Sequence, residues 1–221
     1  WYNFDAPRGA TKSMYWDLTT AEETEASSLT AFNSDGFVLG ADNAVNQNGS
    51  TFVGYNWKAG TTTGIDTTGS TITPTGYSFN ATSRQSIVQY DGNSTSGAKV
   101  PHGLGVAPDV VIIKCLDAAE TWALGCSATN NLTTASGNLG FTKYLRLDTT
   151  DAATTTSVIW NDTAPDAVNV TLGDNSIVNT HTTQGYIMYS FANTKGYFKS
   201  GVYDENGAAD GPFIYTGFRP A

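Results

Sequence analysis

"GFVLGADNAVNQNGSTFVGYNWKAG" occupies residues 36–60, and "NVTLGDNSIVNTHTTQGYIMYSFAN" occupies residues 169–193. The two stretches can be aligned along their length, and Gly40 aligns with Gly173. Each begins with a short apolar run, continues through a turn rich in Asn, and ends in an aromatic run. Short apolar and aromatic runs between turn residues predict β-strands. The match therefore predicts that one β unit is present twice.

The likeness between the two parts of the chain extends beyond these stretches. Asn46 aligns with Asn179, and "KSGVYDENG" at 199–207 resembles "SIVQYDGN" at 86–93. The first part also carries an extra stretch at 61–80 without a counterpart in the second. We therefore expect a first sandwich repeat at 1–100, which lacks its first strand and carries this insert. A second sandwich repeat follows at 101–216, and residues 217–221 are the start of a further repeat or a closing strand.

The residue pattern predicts the fold class. Residues 19–32 carry a short helical signal, and elsewhere β-branched and aromatic runs alternate with Gly, Asn and Asp turns. This pattern predicts an all-β fold of the β-sandwich class, with jelly-roll or lectin-like units. Two arrangements remain open: two separate sandwiches, or two half-sandwiches that share one core. We favour two similar sandwiches, because about 110 residues suffice for a sandwich core.

The charge of the chain argues against several classes of partner. Asp and Glu outnumber Lys and Arg by 20 to 11, which gives a net charge of −9 and a pI near 4.4. Binding to nucleic acid needs a basic face, and so does docking on anionic lipid. No apolar run reaches the roughly 18–20 residues that a membrane-spanning helix needs. We therefore expect no nucleic-acid partner and no membrane insertion.

Sequence signals for catalysis are weak. The two histidines are His102, in a Gly-rich turn, and His181, in a predicted hairpin loop. A Ser-His-Asp triad needs a histidine that is held by a carboxylate and lies beside a nucleophile, and no Gly-x-Ser-x-Gly motif is present. Nothing singles out a pair among the 20 Asp and Glu residues for glycoside hydrolysis. We therefore expect no catalytic residues.

One loop offers oxygen ligands for calcium. "DENGAADG" at 204–211 places Asp204, Asn206 and Asp210 on a short loop with glycines. Ca²⁺ takes about six to eight oxygen ligands, which these side chains and nearby carbonyls could supply. The alternative is that these residues only form a hairpin turn. We expect no cofactor other than calcium at this loop.

The two cysteines flank a predicted hairpin. With its turn centred near residues 119–120, Cys115 and Cys126 fall opposite each other, which predicts a cross-strand disulfide. The alternative is two small buried thiols, which a reducing compartment would favour.

Aromatic side chains are candidates for binding sugar rings. Tyr55 and Trp57 alternate on one strand face and recur in the second part, which is typical of a core. Trp160, in "VIWNDTAP", has no counterpart in the first part and adjoins a turn. We therefore expect Trp160 to be exposed and to bind a ligand.

Asn-x-Ser/Thr triplets occur in several predicted loops. In a secreted protein of a glycosylating organism these triplets would carry sugar, and in other proteins they would stay bare. The asparagines concerned are Asn48, Asn80, Asn93, Asn131, Asn161 and Asn169.

Three long segments carry a family resemblance: "VPHGLGVAPDVVIIKCLDAAETWAL" at 100–124, "LRLDTTDAATTTSVIWNDTAPDAVNVTLG" at 145–173, and "GYIMYSFANTKGYFKSGVYDENGAADGPFIYTGFRPA" at 185–221. They resemble repeats of marine and cyanobacterial phage proteins. The resemblance implies a tail-fibre or virion structural protein with lectin-like or uncharacterised β domains. It implies a non-enzymatic module on the virion surface that contacts a host-surface glycan or receptor. Fibre function also implies a homo-oligomer, a trimer by analogy.

Two other functions remain open at this point. The first is a cellular extracellular adhesin or filament subunit that is glycosylated and binds calcium. The second and weaker one is a glycan-cleaving enzyme, which would need two carboxylates in one cleft.

Overall fold

The computed structural model describes residues 1–127, 139–183 and 185–220. Its regular structure is almost entirely β-strand, so the predicted all-β class is confirmed. No helix among these residues is long and apolar enough to cross a membrane. The elements are β1 (Tyr2–Asn3), β2 (Lys12–Tyr15), β3 (Glu23–Thr24), β4 (Leu29–Phe32), β5 (Phe37–Leu39), α1 (Asn43–Asn46), β6 (Pro74–Asn80), β7 (Gln85–Tyr90), β8 (Ala98–Pro101), β9 (Val110–Cys115), β10 (Ala123–Cys126), β11 (Gly140–Arg146), β12 (Thr154–Thr155), α2 (Ser157–Trp160), β13 (Asn169–Leu172) and β14 (Tyr186–Phe191).

A seven-stranded sheet forms the centre of the molecule, in the order β12-β11-β10-β9-β14-β7-β6. Every neighbouring pair in it is antiparallel. β14 lies between β9 and β7, with Tyr186 opposite Cys115 on one side and opposite Tyr90 on the other. Its residues are almost all buried, because Tyr186 and Met188 pack in a core on one face of the sheet and Ile187 and Tyr189 pack in a core on the other.

The main core lies on one face of this sheet. Side chains alternate across a strand, so Val111 and Ile113 of β9 point into this core while Ile112 points to the opposite face. The ribbon formed by β8 and β13 covers the core together with α2. Val100 and Leu172 of the ribbon are fully buried there.

The N-terminal residues cover the other face of the sheet. β1, β2 and β3 form a small antiparallel sheet whose Met14 packs with Trp122, Ile187 and Tyr189. The Trp122 indole N–H donates to the backbone oxygen of Tyr15 at 2.9 Å. This contact satisfies a polar group that burial would otherwise leave unpaired.

The seven-stranded sheet takes strands from both predicted repeats. β6 and β7 come from residues 1–100, whereas β9, β10, β11, β12 and β14 come from residues 101–216. β7 and β14 pair along their whole length, so the sheet does not divide at residue 100. The arrangement in two separate sandwiches is therefore not confirmed. The observed sheet is closer to the alternative in which two half-sandwiches share one core.

The same hydrogen-bonded turn occurs in both of the matched stretches. Asn46 Nδ2 donates to the backbone oxygen of Gly40 at 2.8 Å, and Asn179 Nδ2 donates to that of Gly173 at 2.8 Å. Both glycines are tightly enclosed, because a Cβ would lie 2.2 Å from a backbone oxygen at Gly40 and 2.1 Å from one at Gly173. The turn at Asn46 is exposed, whereas the turn at Asn179 is buried in the core.

Two segments, 32–57 and 197–215, expose large apolar side chains. Tyr55 is 72% exposed, Trp57 is 61% exposed and Phe213 is 84% exposed. The stretch "TFVGYNW" therefore differs from its match in β14: β14 is paired on both sides, whereas "TFVGYNW" pairs with none of the strands in the described ranges.

Candidate ligand-binding pocket

An N-terminal turn buries an ion pair. In "DAPRG" at 5–9, Asp5 Oδ1 accepts a 3.0 Å hydrogen bond from Arg8 N, and Gly9 adopts a φ of 97° that favours glycine. The turn directs the Arg8 side chain back to Asp5, so that Arg8 Nε donates to Asp5 Oδ2 at 2.6 Å. The two side chains are only 1% and 2% exposed. The charges of this pair are therefore almost completely removed from water.

Further hydrogen bonds satisfy both the Arg8 guanidinium and the Asp5 carboxylate. Arg8 also donates to Glu22 Oε2 at 3.3 Å and to Asn3 Oδ1 at 2.9 Å. The Tyr189 hydroxyl, from β14, donates to Asp5 Oδ2 at 2.6 Å. A buried charge is costly unless it is paired and hydrogen-bonded. These contacts therefore hold the N-terminal layer at a fixed position on the central sheet.

The network fixes the charge states of its members. Burial lowers the pKa of Arg8, but the neighbouring Tyr189, Asp5 and Glu22 outweigh burial, so the pKa is raised overall. Burial raises the pKa of Tyr189 well above its usual value, and the Asp5 carboxylate adds to this effect. Arg8 therefore stays charged and Tyr189 stays neutral throughout the ordinary pH range.

A pocket of about 300 Å³ opens beside this network. In its lining, Lys12 Nζ lies 3.2 Å from Glu22 Oε1. Asp91 also lines the pocket, and its pKa is raised by burial and by the nearby Asp117. The residues that line the pocket are Arg8, Lys12, Glu22, Thr75, Gln89, Asp91 and Thr183.

The pocket can bind a small polar ligand through hydrogen bonds. Its lining combines carboxylate, ammonium, amide and hydroxyl groups, so donors and acceptors lie side by side. The hydroxyl groups of a sugar both donate and accept, and a lining of this kind can bond neighbouring hydroxyls in pairs. The ion pairs that Glu22 makes with Arg8 and Lys12 hold three of these side chains in place before a ligand binds.

Sequence reasoning missed this pocket. The one local signal is the turn "DAPRG", in which an acid and an arginine flank a Pro. The other lining residues lie on β2, β6 and β7, directly before β3, directly after β7 and shortly before β14, so they are far apart in the chain. They meet only because the N-terminal layer packs across β6 and β7, where Gly76 approaches the backbone of Pro7.

The prediction that Trp160 is exposed is wrong. Its side chain is 0% exposed and lies edge-on to Phe141, with the ring centroids 5.4 Å apart. Thr156 caps the start of α2 and Asn161 ends it in a left-handed conformation. This single turn directs Ile159 and Trp160 into the main core. Trp160 therefore packs the core, and no face of it is open to a ligand in this structure.

The predicted disulfide is also wrong. In the register between β9 and β10, Cys126 lies opposite Val110, so it does not face Cys115. Both thiols are buried and free, and burial raises the pKa of each. This outcome is the alternative of two small buried thiols.

The predicted calcium loop is exposed and forms a turn. Asn206 Oδ1 accepts from Ala208 N at 3.0 Å, and Asn206 Nδ2 donates to the backbone oxygen of Asp210 at 3.1 Å. Within the ranges that the structure describes, no group of three or more His, Cys, Asp or Glu residues could hold a metal ion. Calcium binding by Asp204, Asn206 and Asp210 stays a prediction.

The six asparagines of the Asn-x-Ser/Thr triplets lie in different environments. Asn169 is 2% exposed, and its amide nitrogen donates to the backbone oxygen of Thr68, so this side chain is closed to glycosylation in the folded chain. Asn131 lies outside the described residues. The predictions for the others stay untested, with Asn48 and Asn93 exposed and Asn80 and Asn161 partly buried.

Fold and pocket together define an all-β protein with a polar, partly preorganised surface site. The chain belongs to the family DUF7483, a domain of unknown function, whose pattern it matches over residues 1–221. No curated protein sequence and no solved structure matches the chain.

Proposed function

We propose that the protein is a non-enzymatic structural and adhesion module of a phage tail fibre or virion surface protein, and that it contacts a host-surface glycan. The observation that carries this proposal is the pocket beside Arg8. Three of its charged side chains, Arg8, Glu22 and Lys12, are held in place by ion pairs at 3.3 and 3.2 Å. Preorganised donors and acceptors lose little entropy when they bind a polar ligand. A sugar is the ligand class that suits this lining.

In this proposal the module contains one β unit that is present twice. The support is the turn that recurs with the same 2.8 Å hydrogen bond at Asn46 and at Asn179. Repetition and a homo-oligomeric assembly, a trimer by analogy, would give a fibre both stiffness and several glycan sites. The protein then lies at the virion surface or is otherwise extracellular.

Binding to a panel of host-surface glycans tests the proposal, followed by calorimetry on the best ligand. Lys12→Met removes a charged donor from the pocket and should weaken binding about tenfold or more, since a hydrogen bond to a charged group contributes about 1.5–3 kcal/mol. Lys195→Met is the matched control, because Lys195 is exposed and does not line the pocket. Equal loss in both variants, or no glycan binding by the native protein, would overturn the proposal.

One observation favours a glycan-cleaving enzyme as a second candidate. Glu22 and Asp91 line the same pocket, and the pKa of Asp91 is raised by burial and by Asp117. Glycosidases pair an acid of raised pKa with a second carboxylate. Incubation of the bound glycan with the protein, with Asp91→Asn as control, decides between the two candidates. Release of reducing ends by the native protein alone would favour the enzyme.

A further inference from the structure

We propose that residues 212–215 of one copy of this chain pair with the open edge of β5 in a second copy. The inference rests on the proposed oligomeric fibre role and names the two surfaces that would build the oligomer. Its basis is the antiparallel ribbon of β8 and β13. Each strand of that ribbon has a counterpart elsewhere in the chain, and the two counterparts are not paired with each other.

β5 repeats β13 in structure as well as in sequence. Its three residues align with residues 170–172 of β13. Asp166 N donates to the backbone oxygen of Asn169 at 3.0 Å where β13 begins. At the aligned position, Asn33 N donates to the backbone oxygen of Gly36 at 2.8 Å, directly before β5. The two strands therefore begin in the same turn, and each ends at the enclosed glycine described above.

The open edge of β5 corresponds to the edge of β13 that β8 occupies. On β13, the backbone oxygen of Leu172 accepts from Gly97 N at 2.8 Å, directly before β8. On β5, Gly40 N donates to the backbone oxygen of Ser28 at 2.7 Å, directly before β4. The C=O and N–H of one trans peptide point in opposite directions. The oxygen of Leu39, which aligns with that of Leu172, therefore points away from β4 to the open edge.

Residues 212–215 are the counterpart of β8. The glycines on either side of β8, Gly97 and Gly103, align with Gly211 and Gly217 at the same spacing. Gly103 and Gly217 both adopt a left-handed conformation, with φ of 73° and 81°. "PFIY" at 212–215 therefore occupies the position of "AKVP", which forms β8.

The proline at the start of this segment is compatible with the pairing. Pro212 aligns with Ala98, and Ala98 N donates to the backbone oxygen of Thr95 at 3.1 Å rather than to β13. Proline has no N–H to donate, and it is tolerated at the first residue of a strand. No cross-strand hydrogen bond is therefore lost at Pro212.

The ribbon also supplies a register. Thr171 of β13 lies opposite Lys99 of β8, so the aligned positions put Val38 opposite Phe213. Every residue of β13 is buried, whereas Val38 is 43% exposed and Phe213 is 84% exposed. Exposed apolar patches mark interaction sites, and an open strand edge is a template for pairing with another chain.

A second copy is the occupant that the structure favours. Among the described residues, β5 pairs with β4 alone and residues 212–215 pair with no strand. Each copy therefore offers one acceptor edge and one donor strand. Residues 36–41 and 211–218 carry no charge, so the net charge of −9 places no like charges in the contact. Such a heterologous contact repeats from copy to copy and closes into a ring or extends into a fibre.

Disulfide trapping separates pairing between copies from pairing within one chain. One preparation carries Val38→Cys and the other carries Phe213→Cys, and the two are mixed at equal concentration and oxidised without denaturant. Cys115 and Cys126 are buried, so they stay out of the reaction in the folded protein. The matched control replaces Val38→Cys by Val158→Cys, because Val158 is 39% exposed and lies outside the proposed contact. A preparation with Val38→Cys and Phe213→Cys in one chain, oxidised at high dilution, tests pairing within the chain.

The proposal expects a disulfide-linked heterodimer that joins positions 38 and 213, identified by peptide mass mapping, and loss of that heterodimer in the Val158→Cys control. The mass of the native protein in solution should rise with concentration from 23.4 kDa to at least twice that value. Equal cross-linking in the control would overturn the proposal. A native protein that stays monomeric, or a doubly substituted chain that cross-links to itself at high dilution, would also overturn it.

A proline substitution tests the pairing without cysteine. Lys99 N donates to Thr71 Oγ1, so the next N–H of β8, that of Val100, points to β13. Ile214 aligns with Val100, and Ile214→Pro removes the N–H that would point to β5. This variant should stay monomeric with an unchanged free energy of unfolding, because residue 214 pairs with no strand of its own chain. Association equal to that of the native protein would contradict the proposal.

Glycan binding reports on the pocket separately. Ile214→Pro should leave the affinity of each pocket for glycan unchanged, and Lys12→Met should leave the heterodimer unchanged. Failure of the strand pairing and failure of the glycan proposal are therefore distinguishable.

Discussion

The Tyr189 hydroxyl donates a 2.6 Å hydrogen bond to Asp5 Oδ2, across 184 residues of chain. Tyr189 lies on the central strand β14, and Asp5 belongs to the N-terminal turn whose Arg8 bonds to Glu22 of the pocket. One contact thus joins the core of the sheet to the candidate site. The position of the pocket therefore depends on a strand whose side chains do not line it.

Tyr189→Phe should lower the free energy of unfolding by about 1–3 kcal/mol, because Asp5 loses a donor while it stays buried. The measurement is urea denaturation followed by tryptophan fluorescence. Tyr197→Phe is the control, since Tyr197 is 50% exposed and its hydroxyl is not needed to satisfy a buried charge. The two variants should differ clearly. If they have the same stability, the hydroxyl does not support the buried carboxylate.

Arg8→Met should destabilise the protein more strongly, by about 3–5 kcal/mol, because it leaves the Asp5 carboxylate buried without its cation. Adding Asp5→Asn to Arg8→Met should restore part of this loss, since no unpaired charge then remains. Chemical denaturation of the two single variants and of the double variant gives the coupling free energy. A coupling near zero would show that the two side chains act independently, against the structure.

Some strand positions could be predicted from sequence, although the aromatic run at 51–57 is not a strand in the structure, and the partners of the strands could not be predicted. The alternation in "SIVQY" predicts a strand with Ile87 on one face and Val88 on the other, and these residues do pack into different cores. Nothing in that stretch shows that β7 pairs with β14 rather than with a strand of its own repeat. Sheet order depends on contacts across the whole chain, which a local pattern does not record.

The predictions of a Cys115–Cys126 disulfide and of an exposed Trp160 are wrong for local reasons. A small shift in the centre of the hairpin changes which residue faces Cys126, and the observed turn places Val110 there. Trp160 lies in a helix of one turn, which is too short to leave a periodic signal. The pocket could not be predicted because residues such as Glu22 and Thr183 meet only through the packing of the N-terminal layer on the sheet.

Acidification should destabilise the protein through His102. His102 is buried, its Nε2 donates to the backbone oxygen of Asp166 at 3.1 Å, and its Nδ1 accepts from Leu104 N at 3.2 Å. The contact at Nδ1 requires the neutral ring, and burial lowers the pKa of His102 below the usual 6.5. The unfolded chain therefore takes up the proton first. The stability that the neutral ring provides is complete above the usual pKa and is lost as the pH falls below it.

The measurement is the free energy of unfolding between about pH 7.5 and pH 5, where the unfolded histidine gains its proton. His102→Asn keeps an acceptor for Leu104 N and does not titrate. The native protein should lose more stability than this variant over that interval. Parallel pH profiles would mean that His102 is not the group responsible.

A matched pair of glycine substitutions should show that the two recurrent turns differ in importance. At Gly173 a Cβ would lie 2.1 Å from the backbone oxygen of Val158, and at Gly40 it would lie 2.2 Å from that of Ser27. The local clash is nearly the same, but the turn at Gly173 packs in the main core and the turn at Gly40 is near the surface. Gly173→Ala should cost at least about 1–3 kcal/mol, the range for overpacking a core. Gly40→Ala should cost clearly less in monomeric protein, because few contacts depend on its turn. Thermal and urea denaturation of both variants at low protein concentration make the comparison, and equal losses would mean that the exposed turn is as tightly coupled to the core as the buried one.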